Sequence, residues 1–295
     1  MGLCRLKNLL KHQLRYIESM AYTRTATKES TQFRAGWSWP VFGVLLILQL
    51  WAAHAFAFFA HEYAHSFTAW LMGWKSNPLA LYYAHPTLVV FLAQLGINQD
   101  VNEAPIFASG HGHAAAIIAA AGMVIGNGLI SFPLSRFGYA MAEHRNHRGW
   151  AMFFYWTTVA SLGNFIDYVP VRTFTSDGDM GSIQRGFDCS PWIVLLVLGL
   201  PTAILLIYFL LRIEPDTMSL LFPKDGRKRT LMVLVTAGVL FGFYGAAGLL
   251  EGGPISHQIS RVSVYVVLPL FAAASWLLVQ RRLSLIHISE PTRPY

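Results

Sequence analysis

Residues 61–65 read His61-Glu62-Tyr63-Ala64-His65, near the end of a strongly apolar run from Pro40 to Gly73 whose residues 41–60 are VFGVLLILQLWAAHAFAFFA. A run of that length and composition predicts a helix long enough to cross a hydrocarbon core about 30 Å thick. On a helix, two histidines four apart lie on one face, so both imidazoles can reach a single Zn²⁺. Glu62 projects near that metal, where it can take a proton from a bound water. Ionisable groups at membrane depth are costly, and a buried zinc hydrolase is the leading reason to keep three of them there.

The remaining composition agrees with a membrane setting. The 295 residues are 54% hydrophobic and only 13% charged, with a mean hydropathy of +0.43, which is too apolar and too segmented for one soluble domain. The formal charge of +7 does not point to nucleic acid, because Lys and Arg flank the apolar runs instead of recurring on an aromatic-basic face. Cys4 and Cys189 are too isolated for a disulfide framework or a cysteine metal site. Residues 1–37 are basic and lack the compact apolar core of a cleavable signal peptide.

The pattern predicts an all-α, multi-pass integral membrane protein with about six transmembrane helices, near 40–72, 113–134, 150–169, 191–212, 230–250 and 261–280. Basic residues are dense before the first span, in 135–149 and in 213–229, and sparse between. That alternation places the N-terminus and those two loops in the cytoplasm. Leu79 to Ile97 is also apolar but barely long enough to cross. If it crossed, Arg136, Arg145 and Arg148 would change sides, so it reads as a re-entrant or interfacial segment over the site.

Zinc needs a third protein ligand. The third span ends in Gly163-Asn164-Phe165-Ile166-Asp167-Tyr168-Val169-Pro170, followed by an acidic turn, Ser176-Asp177-Gly178-Asp179-Met180-Gly181. Pro170 and the glycines break the helix, and the charge count puts this turn on the same side as His61 and His65. Asp177, Asp179 and Asp167 are the candidate ligands.

These motifs resemble the site-2 protease family of intramembrane zinc metallopeptidases, in which an HExxH helix is joined by an aspartate from a later Asn-x-x-Pro…Leu-Asp-Gly segment. His61, Glu62 and His65 match the first motif, and Asp177-Gly178 corresponds to the Asp-Gly pair, with Ser176 in place of leucine. Asn164 and Pro170 look like the preceding Asn and Pro. Ala121-Gly122-Met123-Val124-Ile125-Gly126-Asn127 is similar to the family's Ala-Gly-Pro-x-x-Asn stretch. The resemblance covers about residues 50–180 and implies a three-helix catalytic core, Asp177 as the favoured third ligand, Glu62 as the catalytic base, and membrane-protein or peptide substrates. It leads to a division into a basic segment 1–37, a metallopeptidase-like core 38–190 and a C-terminal membrane region 191–282.

Other polar residues have roles to be placed. His54, seven residues before His61, faces the same way and could contact the site or pack. His111 and His113 enter the second span from the site's side, where they could supply an alternative ligand, touch substrate or form an interfacial polar cap, and Asn164 could hold substrate backbone or cap its helix. Asn127 reads as an interhelical polar contact, and Gly122, Gly126 and Gly128 as close helix packing. Two rival classes remain: a lipid-active metalloenzyme (a zinc amidase, or a di-iron oxygenase using Glu143-His144-Arg145-Asn146-His147), and a non-catalytic metal-binding protein or transporter. The last thirteen residues, LSLIHISEPTRPY, resemble a translated sequencing-adapter read-through, so the natural chain is expected to part from this sequence near Arg282.

Overall fold

The computed structural model describes residues 37–250 and 252–288, with side chains to Arg281. The expectations for the basic N-terminal segment before Trp37 and for the side chains of the 283–295 tail lie outside the described residues. What is described is helical apart from one two-stranded hairpin.

The apolar run folds as α1, Trp39–Leu71. Pro40 sits in its first turn, where a missing N–H costs nothing. Gly73 ends it at φ +80°, with Trp74 N–H donating to Ala69 O (2.8 Å) and Gly73 N–H to Trp70 O (3.0 Å), which satisfies the last carbonyls. Residues 78–99 then turn back along α1. They form strands β1, Tyr82–Tyr83, and β2, Ile97–Asn98, paired antiparallel around a short helix α2, Leu88–Ala93. Ser66 Oγ donates to Pro78 O (2.7 Å) and Trp51 Nε1 to Phe91 O (2.9 Å). Those two anchors are fifteen residues apart on α1, so the segment retraces about 22 Å of the helix instead of crossing as a helix of its own.

After a one-turn helix α3, Ala104–Ala108, comes α4, Gly112–His144, which is wider than a regular α-helix over Gly122–Ser131. Asn146 ends α4 in the left-handed region at φ +58°. The long α5, Arg148–Ile166, continues through wider turns over Asp167–Val171 and a tighter one over Arg172–Phe174. A short helix α6, Gly178–Phe187, precedes α7, Pro191–Leu221, α8, Gly226–Leu249, and α9, Pro254–Arg281.

Five helices, α1, α4, α7, α8 and α9, are long and apolar enough to cross a membrane, which makes this an all-α, multi-pass membrane fold. The expected third span forms as α5 but is not among the five. It is buried almost throughout and carries Thr157, Thr158, Ser161 and Asn164, so it meets protein on all sides and has no need of an apolar surface. Ser131 Oγ meets Ser161 Oγ (2.6 Å), and Ser135 Oγ meets Thr158 Oγ1 (2.8 Å), polar contacts of the kind that join helices inside membranes. The helices also run further than the apolar windows: α4 absorbs most of the expected 135–149 loop, and the 213–229 loop shrinks to residues 222–225. Polar residues at the ends of a span can stay helical where the chain leaves hydrocarbon.

Glycine sets the spacing of α1 and α4. A Cβ on Gly126 would lie 2.4 Å from Ala60 O, closer than any side chain allows, so the two backbones touch there. This approach brings the polar groups of α4 onto the histidines of α1.

Candidate metal centre

His61 and His65 occupy one face of α1, are 2% and 1% exposed, and hold their Nε2 atoms 2.9 Å apart. Their other nitrogens are committed. His65 Nδ1–H donates to Ile118 O of α4 (2.6 Å). His61 Nδ1–H donates to Asn127 Oδ1 (2.9 Å), and Asn127 is fixed in that orientation because its Nδ2 donates to Ala57 O (3.0 Å). These acceptors place both ring protons on Nδ1 and leave a lone pair on each Nε2.

The third group is Asp179, in the first turn of α6. Its Oδ2 lies 3.3 Å from His61 Nε2 and 3.2 Å from His65 Nε2. Burial opposes ionisation of this carboxyl, and what offsets it is positive charge shared with the two imidazoles, as a proton or a bound cation. Two nitrogen lone pairs and a carboxylate crowded together repel one another unless a proton or a cation sits among them. A tetrahedral ion bound at 2.0–2.1 Å holds its donors about 3.3 Å apart, close to what is seen. His61, His65 and Asp179 thus form a group able to hold a metal ion, with the His₂-carboxylate donor set typical of zinc. Gly122 leaves the necessary space: a Cβ there would stand 2.1 Å from His65 Nε2 and 2.5 Å from His61 Nε2.

Glu62 is 6% exposed and flanks the group. The backbone N–H of Gln99 faces its carboxylate, and its Oε2 has no hydrogen-bond partner among the described residues. The Gln99 peptide belongs to a strap, residues 97–103, laid across the site. Lys75 Nζ donates to the carbonyls of Gln99 (2.5 Å) and Asp100 (3.0 Å). At the other end, Ser182 on α6 donates to Glu103.

The remaining expected residues are placed as follows. The structure puts Asp177, the favoured third ligand, at the exposed N-cap of α6 and outside the metal-capable group. Gly178, at φ +63°, starts the helix one residue later and turns Asp179 inward instead. Asp167 is ion-paired with Arg172 Nε (2.9 Å) at the end of α5. Asn164 is buried, with Nδ2 donating to Ala160 O one turn back (3.0 Å). His54 is hydrogen-bonded at Nδ1 to the Tyr244 hydroxyl (2.7 Å) and at Nε2 to Ala93 O (3.3 Å). His111 and His113 are exposed, beside Trp74 and Phe187 respectively. His144 ends α4, 22 residues beyond Gly122 and so about 33 Å along the helix from the centre.

Sequence reasoning gave no site role to Tyr168, whose ring stacks on His61 with centroids 4.7 Å apart and planes 30° apart. Asn127 was legible only as an interhelical contact, although the Ala121–Asn127 stretch carried the signal. Gly122 carried none beyond packing.

The His61-Glu62-x-x-His65 pentad with Asp179 matches an HExxH-plus-aspartate motif of the site-2 protease type. No family model, curated protein or solved structure matches the chain.

Proposed function

We propose that this chain is a zinc-dependent intramembrane endopeptidase acting on membrane proteins or peptides derived from them. The observation that carries the reading is the convergence of two Nε2 lone pairs and the Asp179 carboxylate at 2.9–3.3 Å, with Glu62 beside them and the histidines and Glu62 buried. His61, His65 and Asp179 would hold the ion. When bound, zinc supplies a Lewis acid for the substrate carbonyl and brings the pKa of a coordinated water to about 7.

The protein's own groups do the rest. Asn127 and the Ile118 carbonyl fix the imidazole orientations. Glu62 takes the proton of the attacking water and returns it to the leaving amine. The peptide must be extended at the bond to be cut, because helical hydrogen bonds hide its carbonyl. The β1–β2 hairpin, lying along α1 beside the site, supports that requirement as a partner for an extended strand. His61 and His65 are almost without exposure, so this reading has substrate entering when the 97–103 strap lifts from Glu62.

In this reading α5 is a sixth span enclosed by the others, α1, α4 and α5 form the catalytic core, and the N-terminus is cytoplasmic. The position of His144 and His147 at the far end of α4 removes the histidines a di-iron oxygenase would need. The transporter reading separates from the hydrolase at Glu62, because a binding-only site keeps its function without that carboxylate. The test is zinc content of the detergent-purified protein followed by a proteolysis screen. About one zinc per chain, lost in His65→Ala, with cleavage abolished in Glu62→Gln, supports the proposal. A metal-free protein, or cleavage undiminished in Glu62→Gln, refutes it.

A further inference from the structure

Resting on the hydrolase reading, we propose that Tyr168 is a further catalytic residue, whose hydroxyl donates a hydrogen bond to the substrate oxygen as negative charge develops there. Peptide hydrolysis needs a donor aimed at that oxygen in addition to the metal, and such a donor is among the larger contributions to rate.

The donors around the centre are committed elsewhere. His61 Nδ1–H is bound by Asn127, His65 Nδ1–H by Ile118 O, and Asn127 Nδ2 by Ala57 O. Asn164, the sequence-based candidate for holding substrate, directs its amide to Ala160 O of its own helix. Tyr168 is the exception. It is half-buried, its ring lies on the His61 imidazole, and its hydroxyl makes no hydrogen bond to any described residue. A phenol so enclosed ordinarily finds a partner. The hydroxyl stands within the electrostatic reach of both Asp179 and Glu62, the groups that flank the reacting carbonyl.

The ring is held in place for this task. Its faces are fixed by the His61 stack and by the Arg172 guanidinium, 5.3 Å from the ring centroid, and Arg172 is itself anchored by Asp167. This gives the Asp167–Arg172 pair a positioning role.

The step balances without a further reactant. Water oxygen bonds to the carbonyl carbon, and its proton goes to Glu62. The C=O π pair moves onto the carbonyl oxygen, where Tyr168 donates a hydrogen bond and keeps its proton. When that pair returns, the C–N bond breaks and the amine leaves with the proton held by Glu62.

Tyr168→Phe keeps the stacked ring and removes only the hydroxyl. The zinc-loaded wild type and variant are titrated calorimetrically with two peptide mimics of identical side chains, one ending in a phosphinate and one in a thiol. The phosphinate presents a tetrahedral, charged oxygen in place of the developing oxyanion, and the thiol presents none. The expected result is unchanged zinc content, thiol affinity within about threefold, and phosphinate affinity at least about tenfold weaker in the variant. Equal phosphinate affinities, a parallel loss of both ligands, or loss of zinc from the variant overturns the role of Tyr168 and leaves the hydrolase reading standing. A wild type that binds neither zinc nor the thiol removes the hydrolase reading, and this inference with it.

Discussion

Replacing Gly122 with alanine adds one methyl group to the protein and should empty the metal centre. That Cβ would stand 2.1 Å from His65 Nε2 and 2.5 Å from His61 Nε2, and real Cβ contacts essentially never fall below 3.0 Å. To reach even that limit the imidazoles must retreat by about 0.9 and 0.5 Å, whereas metal–ligand distances tolerate about 0.2 Å. Neither ring can swing freely, because their Nδ1 atoms are bound to Ile118 O and Asn127 Oδ1. Overpacking of this kind costs about 1–3 kcal/mol, which a helical membrane protein of this size survives. The expected outcome is a folded variant with below about 0.1 zinc per chain. Elemental analysis after detergent purification measures the zinc, and circular dichroism measures the helix content. A chelator should lower the melting temperature of the wild type and leave that of Gly122→Ala unchanged, since only a bound ion contributes linkage. Gly43→Ala is the control, with nothing within 4 Å of its Cβ, and should keep its zinc. Stoichiometric zinc in Gly122→Ala would refute the placement of the ion between the two Nε2 atoms.

Asp179→Ala should lose zinc and Asp177→Ala should retain it, because only the former carboxylate reaches the imidazoles; parallel titrations with a fluorescent chelator would show the reverse if the Asp-Gly aspartate were the ligand. Asn127→Leu frees the His61 ring and leaves Ala57 O without its donor. It should weaken zinc affinity by about 10–100-fold while the chain stays folded, and an unchanged affinity would deny Asn127 its orienting role. Lys75→Met removes the donor to Gln99 O and Asp100 O, so amide exchange in residues 97–103 should accelerate while α1 stays protected; an equally protected strap would show that Lys75 does not hold it. Glu62→Gln should bind zinc like the wild type and cleave nothing, which direct comparison of metal content and proteolysis decides.

Much of this was legible in the sequence because it depends on periodicity. The HExxH pentad inside the 40–73 run placed both histidines on one face of α1 before any tertiary contact was known. The acidic turn more than a hundred residues later was expected on the same side, and it does reach the site. The choice between its aspartates was not legible, because it hangs on where α6 begins. Gly178 at φ +63° sets that boundary, so Asp177 becomes an extended cap facing outward and Asp179 a first-turn residue facing α1. A helix start two residues earlier would give Asp177 the first-turn position that Asp179 now holds. α5 shows the complementary failure. Hydropathy measures what a helix can show to lipid, and α5, with Thr157, Thr158 and Ser161 buried, shows lipid almost nothing.

The same distinction accounts for Gly122 and Tyr168. Small residues on a membrane helix ordinarily mean close packing, and Gly126 against Ala60 O is that case. Gly122 lies one turn earlier on the same face, where α1 presents imidazole instead of backbone. The space its missing Cβ leaves is bounded by His61 and His65 and open to Asp179. Periodicity shows that the two glycines share a face, and only the facing helix shows that one closes a gap and the other keeps one open. Tyr168 follows by the same argument. It lies in the wider turns that follow α5, and its meaning comes from His61, which the fold brings under its ring across a separation of 107 residues in the chain. A metal centre assembled this way needs its helices held close together, so its most sensitive position is expected to be a glycine with no chemistry of its own.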